Sequence, residues 1–142
     1  MASKITSSLE GNDEVWVTYK TTHPTGFHYF GKSSERRIIA GYQGSGPKLK
    51  VTFTHPGFEC NTWTTTILSR HPTETLAYLA EEKLVPLATL SDPFCLNTQP
   101  GGNKRFYGSV YTKLLKAHSL AKKATKIKLN SDGSATITKG KK

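Results

Sequence analysis

Two tyrosines, a glycine-rich loop and a pair of glutamates are the residues of this chain whose types and spacing suit chemistry. Tyr19 ends the run Val15-Trp16-Val17-Thr18-Tyr19, and Tyr29 follows ten residues later in Tyr29-Phe30-Gly31-Lys32. His23-Pro24-Thr25-Gly26 between them is turn chemistry. With the turn centred on Pro24-Thr25, opposed strands carry the two phenols nearly across from each other. There they either pair as core aromatics or converge their hydroxyls on one small site. Gly41-Tyr42-Gln43-Gly44-Ser45-Gly46 is a loop whose exposed backbone amides can take a phosphate, with Lys48 and Lys50 adding positive charge. His23, His28, His55, His71 and His118 show no pairing of the kind zinc needs, and strand alternation sends His28 to the face opposite its neighbour Tyr29. Cys60 and Cys95 are too few and too isolated for a disulfide framework or a zinc site, and both read as reduced, buried small residues.

The elements that must position these groups follow from pattern. Residues 15–31 read as a β-hairpin, with order beginning at Val15 after a loose leader, 1–14. Residues 33–40 read as a short serine-capped helix, stopped by the glycines from Gly41 onward. Two β-rich runs, 49–54 and 59–68, flank His55-Pro56-Gly57, and the threonine alternation of the second suits a half-exposed strand. Thr73 is an N-cap with Glu74 in the first turn of a helix whose apolar face is Leu76, Ala77, Leu79, Ala80, Leu84 and Val85. Residues 87–94 close the core as a loop or short extension. Tyr107, Val110, Tyr111, Leu114, Leu115, His118 and Ala121 recur at helical steps, with Lys113, Lys116, Lys122 and Lys123 on other faces, which predicts an amphipathic basic helix. Residues 126–142 are expected to be partly disordered. The fold class is therefore mixed α/β of the α+β kind: a small three-stranded, mainly antiparallel sheet flanked by helices, with a basic C-terminal helix and tail.

Charge is divided sharply along the 142 residues. From Asn103 onward there are eleven Lys and Arg against Asp132 alone, a net of +10, whereas residues 1–102 hold nine of each sign. The balanced part, 15–102, reads as the core and 103–142 as a basic appendage seeking a polyanion, most often nucleic acid. No apolar run reaches the ~18 residues that span a bilayer, and the polar start has no signal-peptide core, so an intracellular, soluble chain without a membrane partner is expected.

Lined up in order, the pieces resemble a GIY-YIG nuclease of the freestanding phage-type homing endonucleases. The similarity rests on Val17-Thr18-Tyr19 and Tyr29-Phe30-Gly31 in place of the two name-giving triplets, Lys32 after the second, the 41–46 loop, a Phe58-Glu59 strand entry, Glu81-Glu82-Lys83-Leu84-Val85, and Leu96-Asn97 before Gly101-Gly102. It implies phosphodiester hydrolysis on double-stranded DNA in the host cytoplasm. Tyr19 is implied as general base or orienter of water, with Tyr29 as its hydrogen-bonding partner. A phenol titrates near 10, so a base needs a neighbouring cation, for which Lys32 is the candidate. The resemblance implies Glu81 as ligand of one divalent ion, Mg²⁺ retaining several waters, with Glu82 the alternative. Glu81 also falls between Ala77 and Leu84 on the apolar stripe of the helix. The family arginine is implied near Ile39, where the sequence departs, leaving Arg36 or Arg37 to bind the scissile phosphate. Gly31 and Asn97 are implied as structural. Lys48, Lys50, Lys113, Lys116, Lys122 and Lys123 are expected to bind DNA, and a homodimer would serve a double-strand cut. The other reading is a non-catalytic nucleic-acid-binding protein that retains the fold.

Overall fold

The computed structural model describes residues 14–98 and 110–139. The leader to residue 13, Gly101-Gly102 and Tyr107 fall outside the described residues, as do the side chains of Tyr111, Leu114 and Leu115. The fold is α+β. Strands β1 (Trp16–Thr22), β2 (His28–Ser34) and β3 (Thr64–His71) form an antiparallel sheet in the order β2-β1-β3. The hairpin turn is closed by His23 N–H donating to Phe27 O and Gly26 N–H donating to His23 O, each at 2.9 Å. Gly26 takes a φ of 108°, which an L side chain rarely adopts. Pairing of β1 with β3 slips between Thr18 and Tyr19, a bulge that leaves Leu68 without a facing partner.

Helix α1 (Glu35–Ile39) leaves β2 directly, with the Ser34 hydroxyl accepting from Arg37 N–H at the cap. The run expected as a strand over 49–54 is instead helix α2 (Pro47–Phe53). Val-Thr-Phe composition favours a strand, yet Pro47 pre-sets helical φ in the first turn, and Leu49 and Thr52, three apart, bury one face. The expected strand entry at Phe58-Glu59 is also absent. Phe58 is a buried core residue, Glu59 stands at the N-terminal end of a 3₁₀ turn over Cys60–Thr62 without a side-chain cap, and β3 begins only at Thr64. Both cysteines are free, but Cys60 on this turn is exposed rather than buried.

Helix α3 (Glu74–Leu84) is capped by the Thr73 hydroxyl, which accepts from Leu76 N–H at 3.3 Å, and it packs against all three strands. Ala77 and, at the C-cap, Val85 are buried. Leu76 and Leu79 face solvent, so the buried stripe is narrower than the periodicity suggests. After a 3₁₀ turn (Leu87–Ser91) comes α4 (Val110–Lys123), which lies along that turn, with Ser91 Oγ and His118 Nδ1 2.6 Å apart.

The described part of the tail, 110–139, is folded rather than partly disordered. Thr125–Leu129 (β4) and Ala135–Lys139 (β5) form a hairpin. Its Ile127, Leu129 and Ala135 pack on the core of Phe27, Leu49, Phe58, Trp63 and Leu96. His55 Nε2 donates to Leu129 O at 2.9 Å, and Gly57 meets Gly133 so closely that a Cβ on Gly57 would strike the Gly133 backbone. No helix among the described residues is long and apolar enough to cross a membrane.

Candidate active site

The hairpin register sets Tyr19 opposite Gly31 and Thr21 opposite Tyr29. The two tyrosines are thus offset by one same-face step, and their rings lie 6.4 Å apart and tilted. Glycine at position 31 is a space requirement, because a Cβ there would run into the Tyr19 hydroxyl and ring. Tyr19 is almost fully enclosed, 1% exposed. The 41–46 loop folds back over the same face. Cβ atoms on Gly44 and Gly46 would lie 2.8 Å and 2.5 Å from the Tyr29 ring, so both glycines let the backbone lie flat on it. The loop also brings Tyr42 edge-on to Tyr19, at 6.1 Å between centroids. Tyr42 completes a cluster in which pattern reading saw only two phenols. The available signal was the Gly-x-Gly spacing around Ser45, which marks close backbone approach without telling what is approached.

Arg37 joins this cluster. Its guanidinium carbon stacks 4.0 Å over the Tyr42 ring centroid. Arg36, one residue earlier and about 100° around the helix, turns away and forms a forked pair with Glu14 at 3.1 Å and 3.2 Å. Of the two candidates for the phosphate-binding arginine, only Arg37 stands at the tyrosines.

Electrostatics in the cluster run against a phenolate. Burial pushes the Tyr19 hydroxyl far above its ordinary value, and Tyr29, Tyr42, a hydrogen bond to Tyr42 and the Glu81 carboxylate push the same way. Tyr29 is also raised, first by burial and then by Tyr42 and Glu81, while hydrogen bonds from the Ser45 side chain and backbone oppose the rise. Glu81 therefore stands close enough for its charge to act on both phenols. Lys32 does not supply the expected cation. Strand alternation sends it to the opposite face from Gly31, where it pairs with Glu74 at 2.8 Å and sits 4.3 Å over the Tyr78 ring and 5.3 Å over Trp16.

Asn97 acts on backbone. Its amide clamps the outer edge of β2, accepting from Phe30 N–H at 2.9 Å and donating to Phe30 O at 2.8 Å. Lys122 is a correction to the expected DNA-binding set. It is 9% exposed and donates to the carbonyls of Cys95 at 2.7 Å and Asn97 at 3.0 Å, tying α4 to the segment that holds β2. Desolvation by burial lowers its pKa. Its neighbour Ala121, expected on the packed face, is exposed. Lys113, Lys116 and Lys123, like Lys48 and Lys50, are exposed and available to phosphate.

Among the described residues no group of three or more His, Cys, Asp and Glu side chains stands where it could hold a metal ion. The cluster presents the Glu81 carboxylate, with Glu82 beside it in sequence. Comparison of the chain with family models, with curated proteins and with solved structures found no match.

Proposed function

We propose that the chain is a metal-dependent DNA endonuclease of the GIY-YIG kind. The observation that carries this reading is the gathering of Tyr29, Tyr42, Arg37 and the Glu81 charge around a buried Tyr19 seated on Gly31. The substrate phosphate lies against Arg37, whose planar guanidinium, held by stacking on Tyr42, offers several donors to phosphate oxygens. Tyr29, half-buried with Ser45 beside it, orients the attacking water. Tyr19 keeps its proton throughout and fixes Tyr42 beneath the arginine. Its raised pKa makes it a hydrogen-bond donor rather than a base.

A Mg²⁺ ion suits the donor set, because one protein carboxylate suffices when water and DNA phosphate complete an oxygen shell. Glu81 would hold it, with Glu82 as the neighbouring alternative. Bound there, the ion would make a coordinated water easier to deprotonate and would neutralise developing charge on the phosphate. The partner is double-stranded DNA, approached through the exposed lysines of α4 and through Lys48 and Lys50. A cut through both strands takes a homodimer or a second visit by the same site.

The second reading is a nucleic-acid-binding protein without catalysis. The enclosure of Tyr19 favours it, since an aromatic that only fills a core would sit as Tyr19 does. Plasmid nicking with and without Mg²⁺ separates the two. Wild type should nick only with the ion, and Tyr29→Phe and Glu81→Ala should lose about 10²–10⁴ in rate with DNA affinity nearly intact. Wild-type protein that binds DNA and never nicks under any divalent ion leaves the second reading standing.

A further inference from the structure

A cavity of about 260 Å³ lies at the seam between the core and the C-terminal segment, away from the tyrosine cluster's own lining. Lys48 reaches it from α2, and Lys122 and Lys123 reach it from the end of α4. The hydroxyl residues Thr52 and Thr125 add acceptors and a donor at the wall, although the Thr52 proton is already given to Lys48 O at 2.7 Å. The remaining surface is apolar, with Phe27 from the turn and Ile127 and Leu129 from β4. Lys48 and Lys123 also belong to the exposed lysines proposed to meet DNA, but no residue of the tyrosine cluster lines the pocket.

We propose that this pocket binds one nucleotide, its phosphate on Lys48 and Lys123 and its ring on the apolar floor. Three features favour a nucleotide. The cavity falls just short of the usual range for small-molecule sites, about 300–1,000 Å³, so it takes one compact ligand. Its charged groups are all cationic, with no carboxylate among the lining residues, which selects an anion. Its floor is apolar, half-buried Ile127 and Leu129 together with Phe27, which is only 5% exposed, a surface against which a ring packs by hydrophobic contact. Lys122 contributes to the same wall with a fixed side chain. Two of its three donors are committed to Cys95 O and Asn97 O, so its charge is fixed in place while Lys48 and Lys123, both exposed, move to meet the phosphate. Lys48 is two residues beyond Gly46, the N-cap of α2, which lies on the Tyr29 ring, so α2 links the pocket to the tyrosine cluster. Binding in the pocket does not require that the cluster hydrolyse anything.

The test is a titration of the full-length protein, without divalent ions, followed by backbone amide shifts in nuclear magnetic resonance. The probes are thymidine 5′-monophosphate, inorganic phosphate and a thymidine tetranucleotide. Saturable shifts at Thr52, Thr125 and Ile127 are expected with the monophosphate, and binding of inorganic phosphate should be at least about tenfold weaker because it cannot use the floor. Lys48→Gln and Lys123→Gln should each weaken the monophosphate about tenfold or more, as loss of a charge-assisted hydrogen bond does. Tighter binding of the tetranucleotide assigns the pocket to a nucleic-acid strand and weaker binding assigns it to a free nucleotide, and either upholds the site. Equal affinity for phosphate and monophosphate, or unchanged affinity in a folded Lys48→Gln/Lys123→Gln double variant, overturns the proposal.

Discussion

Gly31 and Arg37 show how much turns on single positions in this protein. The Tyr19 hydroxyl occupies the space a side chain at 31 would need, so Gly31→Ala must push a large buried ring out of place. Overpacking of that kind costs about 1–3 kcal/mol, which urea unfolding will read as a lower midpoint, and the same variant should lose nicking because Tyr42, on which Arg37 stacks, packs edge-on to Tyr19. Arg37→Ala should nick about 10²-fold or more slowly, as loss of a phosphate-stabilising donor does. Arg36→Ala, whose side chain is spent on Glu14 at the surface, should nick near the wild-type rate. Equal loss in both variants would remove Arg37 from its assigned place. The phenols also set a pH dependence. Below the ordinary phenol value of 10.0, Tyr19 is protonated folded or unfolded and contributes no pH-dependent term. Above it the unfolded chain releases the proton while the folded chain, with a raised pKa, keeps it, so stability falls as pH rises, by up to about 1.4 kcal/mol per pH unit per such group. Unfolding midpoints compared at about pH 9 and about pH 11 should fall less in Tyr19→Phe than in wild type.

The elements that hold the cluster are fastened from the C-terminal side. Asn97 completes the open edge of β2 with a reciprocal pair of hydrogen bonds to Phe30, and Lys122 on α4 holds the Asn97 carbonyl in turn. The β4–β5 hairpin then covers the core with Ile127 and Leu129 and receives His55 through the Leu129 carbonyl. Ending the chain at Ala124 should therefore lower stability by about 2 kcal/mol or more, the scale of burying two aliphatic side chains, and should be seen as an earlier thermal transition. A shortened chain as stable as wild type would mean that the hairpin's packing is not part of the fold's support. Asn97→Ala should also destabilise, by about 1–3 kcal/mol for each Phe30 backbone group left buried and unpaired.

At the scale of the whole molecule the charge asymmetry meets a folded surface. The +10 of residues 103–142 includes Lys122, which is buried and committed to carbonyls, so under the proposed function DNA is met by other cations, among which Lys113, Lys116 and Lys123 are exposed. Charge reversal at Lys113, Lys116 and Lys123 spares that buried contact. Each phosphate contact contributes about −0.9 to the slope of log affinity against log salt, so the slope should become shallower by roughly two to three units in a variant shown by circular dichroism to be folded. An unchanged slope would place the DNA on another face.

Local chemistry in the sequence was sufficient for the hairpin, the Ser34 and Thr73 caps, the three-stranded sheet and the common face of Tyr19 and Tyr29, because turn residues, caps and strand alternation are decided within a few positions. Alternation also fixed Lys32 on the far side of β2, although its nearness in sequence to Tyr29 suggested otherwise. What lay beyond local reading depends on partners distant along the chain. Residues 49–54 have strand-like composition, yet Leu49 and Thr52 are drawn into one buried helical face by a core built from Phe27, Phe58 and Trp63. Residues 125–139 are polar and basic enough to look unstructured, and only the core surface that Ile127 and Leu129 cover makes a hairpin of them. The choice of Arg37 over Arg36, the arrival of Tyr42 and the burial of Lys122 are likewise tertiary facts. A side chain's partner is set by the three-dimensional path of the backbone, and no spacing in the chain encodes the Tyr42 ring beneath Arg37 or the carbonyls of Cys95 and Asn97 around Lys122.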